Sequence, residues 1–166
     1  MKKITLAAAL VLAFVLGYSF SRLNGKPNQG PRVTGIGGIF FKARDPAALR
    51  AWYSKNLGLR MGPGGSNIEW RQGMDSTKKG FTIWAPFKET TRYFQPSEKQ
   101  FMIDYRVEQL DKLLANLKAT GIAPVDEVEK SSYGNFVHLM DPEGNKIELW
   151  EPNDVEFAKM GTVTTK

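Results

Sequence analysis

From residue 33 onward the chain alternates between two hydrophobic spacings, and it does so twice in the same order. Ile36–Ala43 switches sides residue by residue, as a half-buried strand does. Asp45 and Pro46 then open a helix, with Asp as the N-cap and Pro at the first helical position. Leu49, Trp52, Tyr53 and Leu57 form its apolar stripe, and Gly58 closes it. Short strands follow near Leu59–Met61, at Asn67–Arg71 and at Phe81–Ala85, the last stopping at Pro86. The second round starts with a strand at Phe101–Val107. Leu110, Leu113, Leu114 and Leu117 mark a helix that Gly121 closes, and Val125–Val128 is a short strand. Asn135–Met140 and Lys146–Trp150 are strands joined by a tight turn at Asp141–Asn145.

The repeat predicts an α+β fold of two βαβββ modules at an offset of about 64–66 residues, too long for a solenoid unit. The closing strands match in their own right, Thr82 to Pro86 (TIWAP) against Glu148 to Pro152 (ELWEP). The domain is expected over 33–153, with halves of about 33–86 and 99–152, a linker between them, and a C-terminal tail at 154–166. Ahead of it, Lys2 and Lys3 precede an uncharged run from Ile4 to Phe20. That is the plan of a secretory signal or membrane anchor over 1–21, expected as a hydrophobic helix, with Ser19 and Ser21 as small residues for cleavage. The absence of Cys excludes a lipoprotein anchor. Residues 22–32, rich in Gly, Pro and Asn, read as a linker. The expectation is a domain in the periplasm or on the outer face of the cytoplasmic membrane, touching membrane only through the N-terminal segment if that is retained.

The net charge of +6 changes little once it is located. Lys2, Lys3, Arg22, Lys26 and Arg32 carry five of those charges in an arm without acids, so the body is close to neutral overall. Nucleic acid is therefore not an expected partner. With no Cys and a single His, His138, one chain supplies neither a thiolate zinc site nor a multi-histidine iron or zinc site.

The stretches Phe41 to Pro46 (FKARDP) and Met140 to Pro152 (MDPEGNKIELWEP), set in the paired plan, resemble the vicinal oxygen chelate superfamily: glyoxalase I, bleomycin-resistance proteins and extradiol dioxygenases. The resemblance covers about residues 33–153. It implies a curled mixed sheet around a cavity, with helices on the outer face. Alternation along the strands then turns Gly38, Phe40 and Lys42 inward, with Thr82 and Trp84, Met102, Asp104 and Arg106, Phe136 and His138, and Glu148 and Trp150. Metal-using members carry ligands at four positions that correspond to Gly38, Thr82, Met102 and Glu148. Only Glu148 is a competent ligand there, so the resemblance implies no metal and no cofactor. An irregular cluster of Asp104, His138 and Glu148 is the alternative.

Three functions fit. The first is metal-independent binding of a small aromatic or apolar molecule by Phe40, Trp84, Phe136 and Trp150, oriented by Lys42, Asp104, Arg106, His138 and Glu148. The second is a lyase or isomerase that uses His138 with Asp104 or Glu148 as acid and base. The third is a structural or interaction module with a filled pocket. Members of the superfamily often pair, so a homodimer is among the expected assemblies.

Overall fold

Eight strands among the described residues join in one mixed sheet, and their order shows how the two halves meet. The chain runs β1 (Arg32–Ala43), α1 (Pro46–Leu57), β2 (Ser66–Gln72), β3 (Asp75–Lys88), β4 (Phe101–Glu108), α2 (Leu110–Ala119), β5 (Glu129–Ser131), β6 (Gly134–Met140), β7 (Lys146–Pro152), α3 (Asp154–Lys159) and β8 (Thr164–Thr165). Across the sheet the order is β5-β6-β7-β4-β1-β3-β2-β8. Each half pairs its first strand in parallel with its last, β1 with β3 and β4 with β7. The halves join through the antiparallel pair β1 and β4, where Ile39 lies opposite Ile103. The structure, a computed structural model, describes residues 30–73 and 75–166. The expected signal or anchor at 1–21 and most of the 22–32 linker lie outside the described residues.

The local signals act as their chemistry requires. The Asp45 carboxylate accepts from the Ala48 N–H at 2.9 Å and so caps α1. Gly58 ends that helix at φ 72, a left-handed geometry open to a residue without a Cβ. The hairpin between β6 and β7 closes where Asp141 N–H donates to the Asn145 carbonyl at 2.9 Å. Asp141 Oδ1 also accepts from the backbone of Glu143 and Asn145.

Three segments differ from expectation. Leu59–Met61 forms no strand, because Gly58 and the run Gly62–Gly65 around Pro63 leave it no regular backbone. The segment expected to be a tail supplies the edge strand instead: Thr164 and Thr165 of β8 pair in parallel with Asn67 and Ile68 of β2. Before it, α3 brings Phe157 into the core. The strand expected at Val125–Val128 lies later, at Glu129–Ser131, opposite Gly134–Phe136.

The core has two sides. On the outer face Val107, Leu110, Val137, Leu139 and Leu149 pack beneath α2, whose Leu113, Leu114 and Leu117 reach them. On the concave face two aromatic clusters fill the space. One joins Phe40, Ala85, Phe94 and Met102; the other joins Phe81, Trp150 and Phe157. The body from Pro31 to Lys166 is one compact unit that contains the whole sheet and all three clusters.

Candidate functional site on the concave face

The outer cluster decides which side chains point inward. Tyr105, Val107, Val137, Leu139, Ile147 and Leu149 face α2, so strand alternation turns Met102, Asp104, Arg106, Phe136, His138, Glu148 and Trp150 to the concave face. These are the second-half positions that the sequence assigns inward. Gly38 and Phe40 of β1 pair with Asp104 and Met102 of β4 and share that face. Lys42 lies at its rim, its ammonium 5.8 Å from the centroid of the Phe94 ring.

The first half departs from expectation on β3. Trp84 faces the helix side, its ring 4.5 Å from that of Tyr53 on α1 and 5.1 Å from that of Phe41. Thr82 is engaged structurally: its hydroxyl donates to the Ile36 carbonyl at 2.7 Å and accepts from the Trp70 indole at 3.0 Å. The inward residues of β3 are instead Phe81, Ile83 and Ala85. The cause is a one-residue difference between the halves. Gly38 pairs with Ile83, 45 positions along the chain, whereas Asp104 pairs with Glu148, 44 positions along. With a side-chain period of two, one residue inverts the face. The matched tryptophans of the closing strands therefore lie on opposite faces. The position assigned to Thr82 belongs to apolar residues, which are no better as metal ligands.

The aromatic rings expected to line an open pocket are packed. Phe136 stacks on Trp150 with centroids 5.7 Å apart and planes 8° from parallel. Phe40 meets Phe87 edge-on at 5.6 Å. The residues that close the concavity come from the segment between the halves. Phe94 is 0% exposed, inserted among Phe40, Ala85 and Met102. Cavities of about 360–900 Å³ open elsewhere on the body, and none of them has Phe40, Met102, Phe136 or Trp150 in its wall.

Between the aromatic clusters lies a band of buried polar groups. His138 Nδ1 is 2.6 Å from Asp126 Oδ2, and its Nε2 is 2.8 Å from Glu148 Oε2. The His138 backbone N–H also donates to Asp126, at 2.9 Å. Tyr93 donates its hydroxyl to Glu148 Oε2 as well. Both ring nitrogens of His138 are thus engaged by carboxylates, one on each side of the imidazole. Among the described residues no three His, Asp or Glu side chains converge in the manner of a metal centre. Burial, with the adjacent Glu148 carboxylate, holds the Tyr93 phenol protonated well above its ordinary range. Lys146 donates to the Tyr93 carbonyl at 2.8 Å, and its burial lowers its affinity for a proton against the opposing pull of Asp126 and Glu148.

Asp104 is the unusual member of the band. It is 0% exposed, and neither of its oxygens has a hydrogen-bond partner among the described residues. A Cβ on Gly37 would sit 2.4 Å from one of those oxygens, so the backbone closes over the carboxyl where no side chain fits. Burial raises its pKa well above the ordinary carboxylate value and the Glu148 charge adds to the shift, while Arg106 opposes it. Arg106 is buried with its guanidinium 5.4 Å and 5.2 Å from the Trp70 and Trp150 rings, and it donates to Asp154 at 2.6 Å.

Sequence reasoning did not find Tyr93, Phe94, Asp126 or Lys146. An aromatic pair inside an otherwise polar linker was the one available signal for the first two. Asp126 sits in an irregular stretch where spacing says nothing about direction.

The curled sheet and the pairing of the two halves are features of a known domain type. The family profile of the glyoxalase-like domain matches residues 38–150. The chain belongs to the glyoxalase-like domain family, within the vicinal oxygen chelate superfamily. No curated protein sequence matches it. Among solved structures, a methylmalonyl-CoA epimerase in complex with methylmalonyl-CoA and ammonium is similar at TM-score 0.55 and 16% identity, over 75% of this chain and 98% of that one. A variant of the Streptomyces coelicolor methylmalonyl-CoA epimerase with 2-nitronate-propionyl-CoA is similar at TM-score 0.54 and 16% identity, over 74% and 99%. A catechol 2,3-dioxygenase reaches TM-score 0.47 at 19% identity, over 73% of this chain and 40% of that one. At such identities the likeness to the two epimerase structures speaks for the fold alone, and chemistry has to be argued from the site.

Proposed function

We propose that this glyoxalase-like domain binds a small, largely apolar molecule on its concave face without a metal ion. The observation that carries the reading is Asp104, a fully buried carboxyl without a partner at the centre of that face. An unsatisfied buried polar group costs about 1–3 kcal/mol, which packing alone does not explain. Burial favours the protonated form of this carboxyl, which can donate to a carbonyl or ether oxygen of a ligand. The aromatic clusters on either side supply apolar walls. Access requires the Tyr93–Phe94 segment to swing out, so that a ligand ring replaces Phe94 against Phe40 and Met102.

The test is a thermal-shift screen of aromatic ketones and amides against the native domain and the Phe94→Ala variant, with metal content measured by elemental analysis. The variant is expected to bind hits on the order of tenfold more tightly, about 1.4 kcal/mol, because the self-occupying ring is gone. Asp104→Leu, which removes the donor, is expected to weaken the hits that carry an acceptor oxygen. A screen that stabilises neither protein selects the filled-module reading. One metal per chain, lost on Glu148→Ala, overturns the metal-free reading.

A second reading is favoured by one distance, the 2.8 Å between His138 Nε2 and Glu148. It makes the same face an acid–base site of a lyase or isomerase, with Asp126 orienting the imidazole. His138→Gln separates the two, abolishing turnover in an enzyme and changing affinity only modestly in a binder.

A further inference from the structure

The charge of the body is unevenly divided. Residues 33–98 hold ten Lys and Arg against five Asp and Glu, whereas residues 99–166 hold eight against twelve. The excess cations of the first half gather in one place. A cavity of about 660 Å³ is walled by Arg44, Arg50 and Lys88, together with Asp45, Pro46, Phe87 and Glu89.

We propose that this cavity binds a phosphoryl group, carried either by a free phosphorylated metabolite or by an anionic lipid headgroup. The three cations come from three elements whose backbones are held rigidly. Arg44 follows β1, Arg50 projects from α1, and Lys88 ends β3, where it pairs with Ala43 beside Arg44. The Glu89 N–H donates to the Ala43 carbonyl at 3.0 Å and the Thr91 N–H to the Lys88 carbonyl at 2.9 Å, which fixes the third corner. None of the three cations forms an ion pair among the described residues. The wall sets these three cations against Asp45 and Glu89, a positive excess that an oxyanion would neutralise. Of the two acids in the wall, Asp45 is committed to capping Ala48, while Glu89 is exposed and can turn to solvent. Fork-shaped guanidinium groups at two corners suit the oxygens of a phosphate. The site shares no residue with the concave-face polar band, so it stands or falls independently of the binding function proposed above.

The experiment uses the compact body from Pro31 to Lys166, after a cooperative thermal transition has been recorded for it. Inorganic phosphate and glycerol 3-phosphate are titrated while amide and side-chain NMR shifts are followed. In parallel, flotation is measured with vesicles of phosphatidylcholine alone and with added phosphatidylglycerol. The expected result is saturable phosphate binding that shifts Ala47 and Arg50. The Arg44→Gln/Arg50→Gln double variant should weaken it at least tenfold with an unchanged Tm, while Lys78→Gln/Lys79→Gln leaves it intact. Flotation only with phosphatidylglycerol, lost in the same double variant, assigns the headgroup as the source. Phosphate binding without flotation assigns a soluble ligand. Neither binding nor flotation overturns the proposal, and so does binding that falls equally in both double variants, because that is generic surface attraction.

Discussion

At the scale of single residues, burial decides what Asp104 is. Its folded-state pKa is raised above the ordinary 3.8, chiefly by burial, so the native protein holds a proton that the unfolded chain releases above about pH 4. A raised acid contributes its stability fully below the unfolded value, and that contribution is lost as pH rises through the folded value. Asp104→Asn removes the titration while keeping the shape. Urea unfolding is expected to show variant and native protein nearly equal at pH 4, with the variant gaining stability steadily as pH rises. A difference that stays flat with pH means that Asp104 is ionised and paired in the folded state. Trp84 and Trp150 make the complementary point. They occupy matching sequence contexts, yet Trp84 packs against Tyr53 beneath α1 while Trp150 stacks on Phe136 on the concave face.

At the scale of elements, the pieces that complete the sheet and close the concavity come from the connecting and C-terminal segments. The stretch between the halves places Phe94 inside the concavity and Tyr93 on Glu148. The C-terminal segment supplies α3 and β8, and Phe157 of α3 lies against Phe81 at 5.1 Å and Trp150 at 5.2 Å. Removing a buried Phe side chain costs about 3–5 kcal/mol when the surroundings cannot collapse. Phe157→Ala is therefore expected to lower unfolding stability by about 3 kcal/mol in urea denaturation. A loss below about 1 kcal/mol would show that α3 is an accessory and not part of the core.

At the scale of the whole molecule, two halves share one sheet but divide the work. The second half carries the acidic excess and most of the concave-face polar band, and the first carries the cations. No helix among the described residues is long and apolar enough to cross a membrane. We propose from Lys2, Lys3 and the uncharged run to Phe20 that residues 33–166 lie outside the cytoplasmic membrane, tethered or released. Alkaline phosphatase fused to the C-terminus is expected to be active in intact cells. An inactive, cytoplasmic fusion would sink the idea.

The sequence by itself determined the family, the two-module plan, the capped helices, the tight hairpin and the inward set of the second half. Those features are written in local chemistry: the period of apolar residues, an Asp-Pro helix start, and a stretch from Met140 to Pro152 that specifies strand, turn and strand without outside help. What only the tertiary structure decided was each matter that depends on residues distant in the chain. The face of β3 turned on whether 44 or 45 positions separate paired strands, a difference invisible to pattern matching. The edge beside β2 went to Thr164 and Thr165 because Leu59–Met61, set among glycines, could not hold an extended backbone. The concavity was occupied by Phe94 because a linker aromatic gains more by burial than in water, and no periodicity announces where it will be buried. The isolation of the Asp104 carboxyl likewise follows from how β1, β4 and β7 close around it, a property of the assembled sheet and not of any segment.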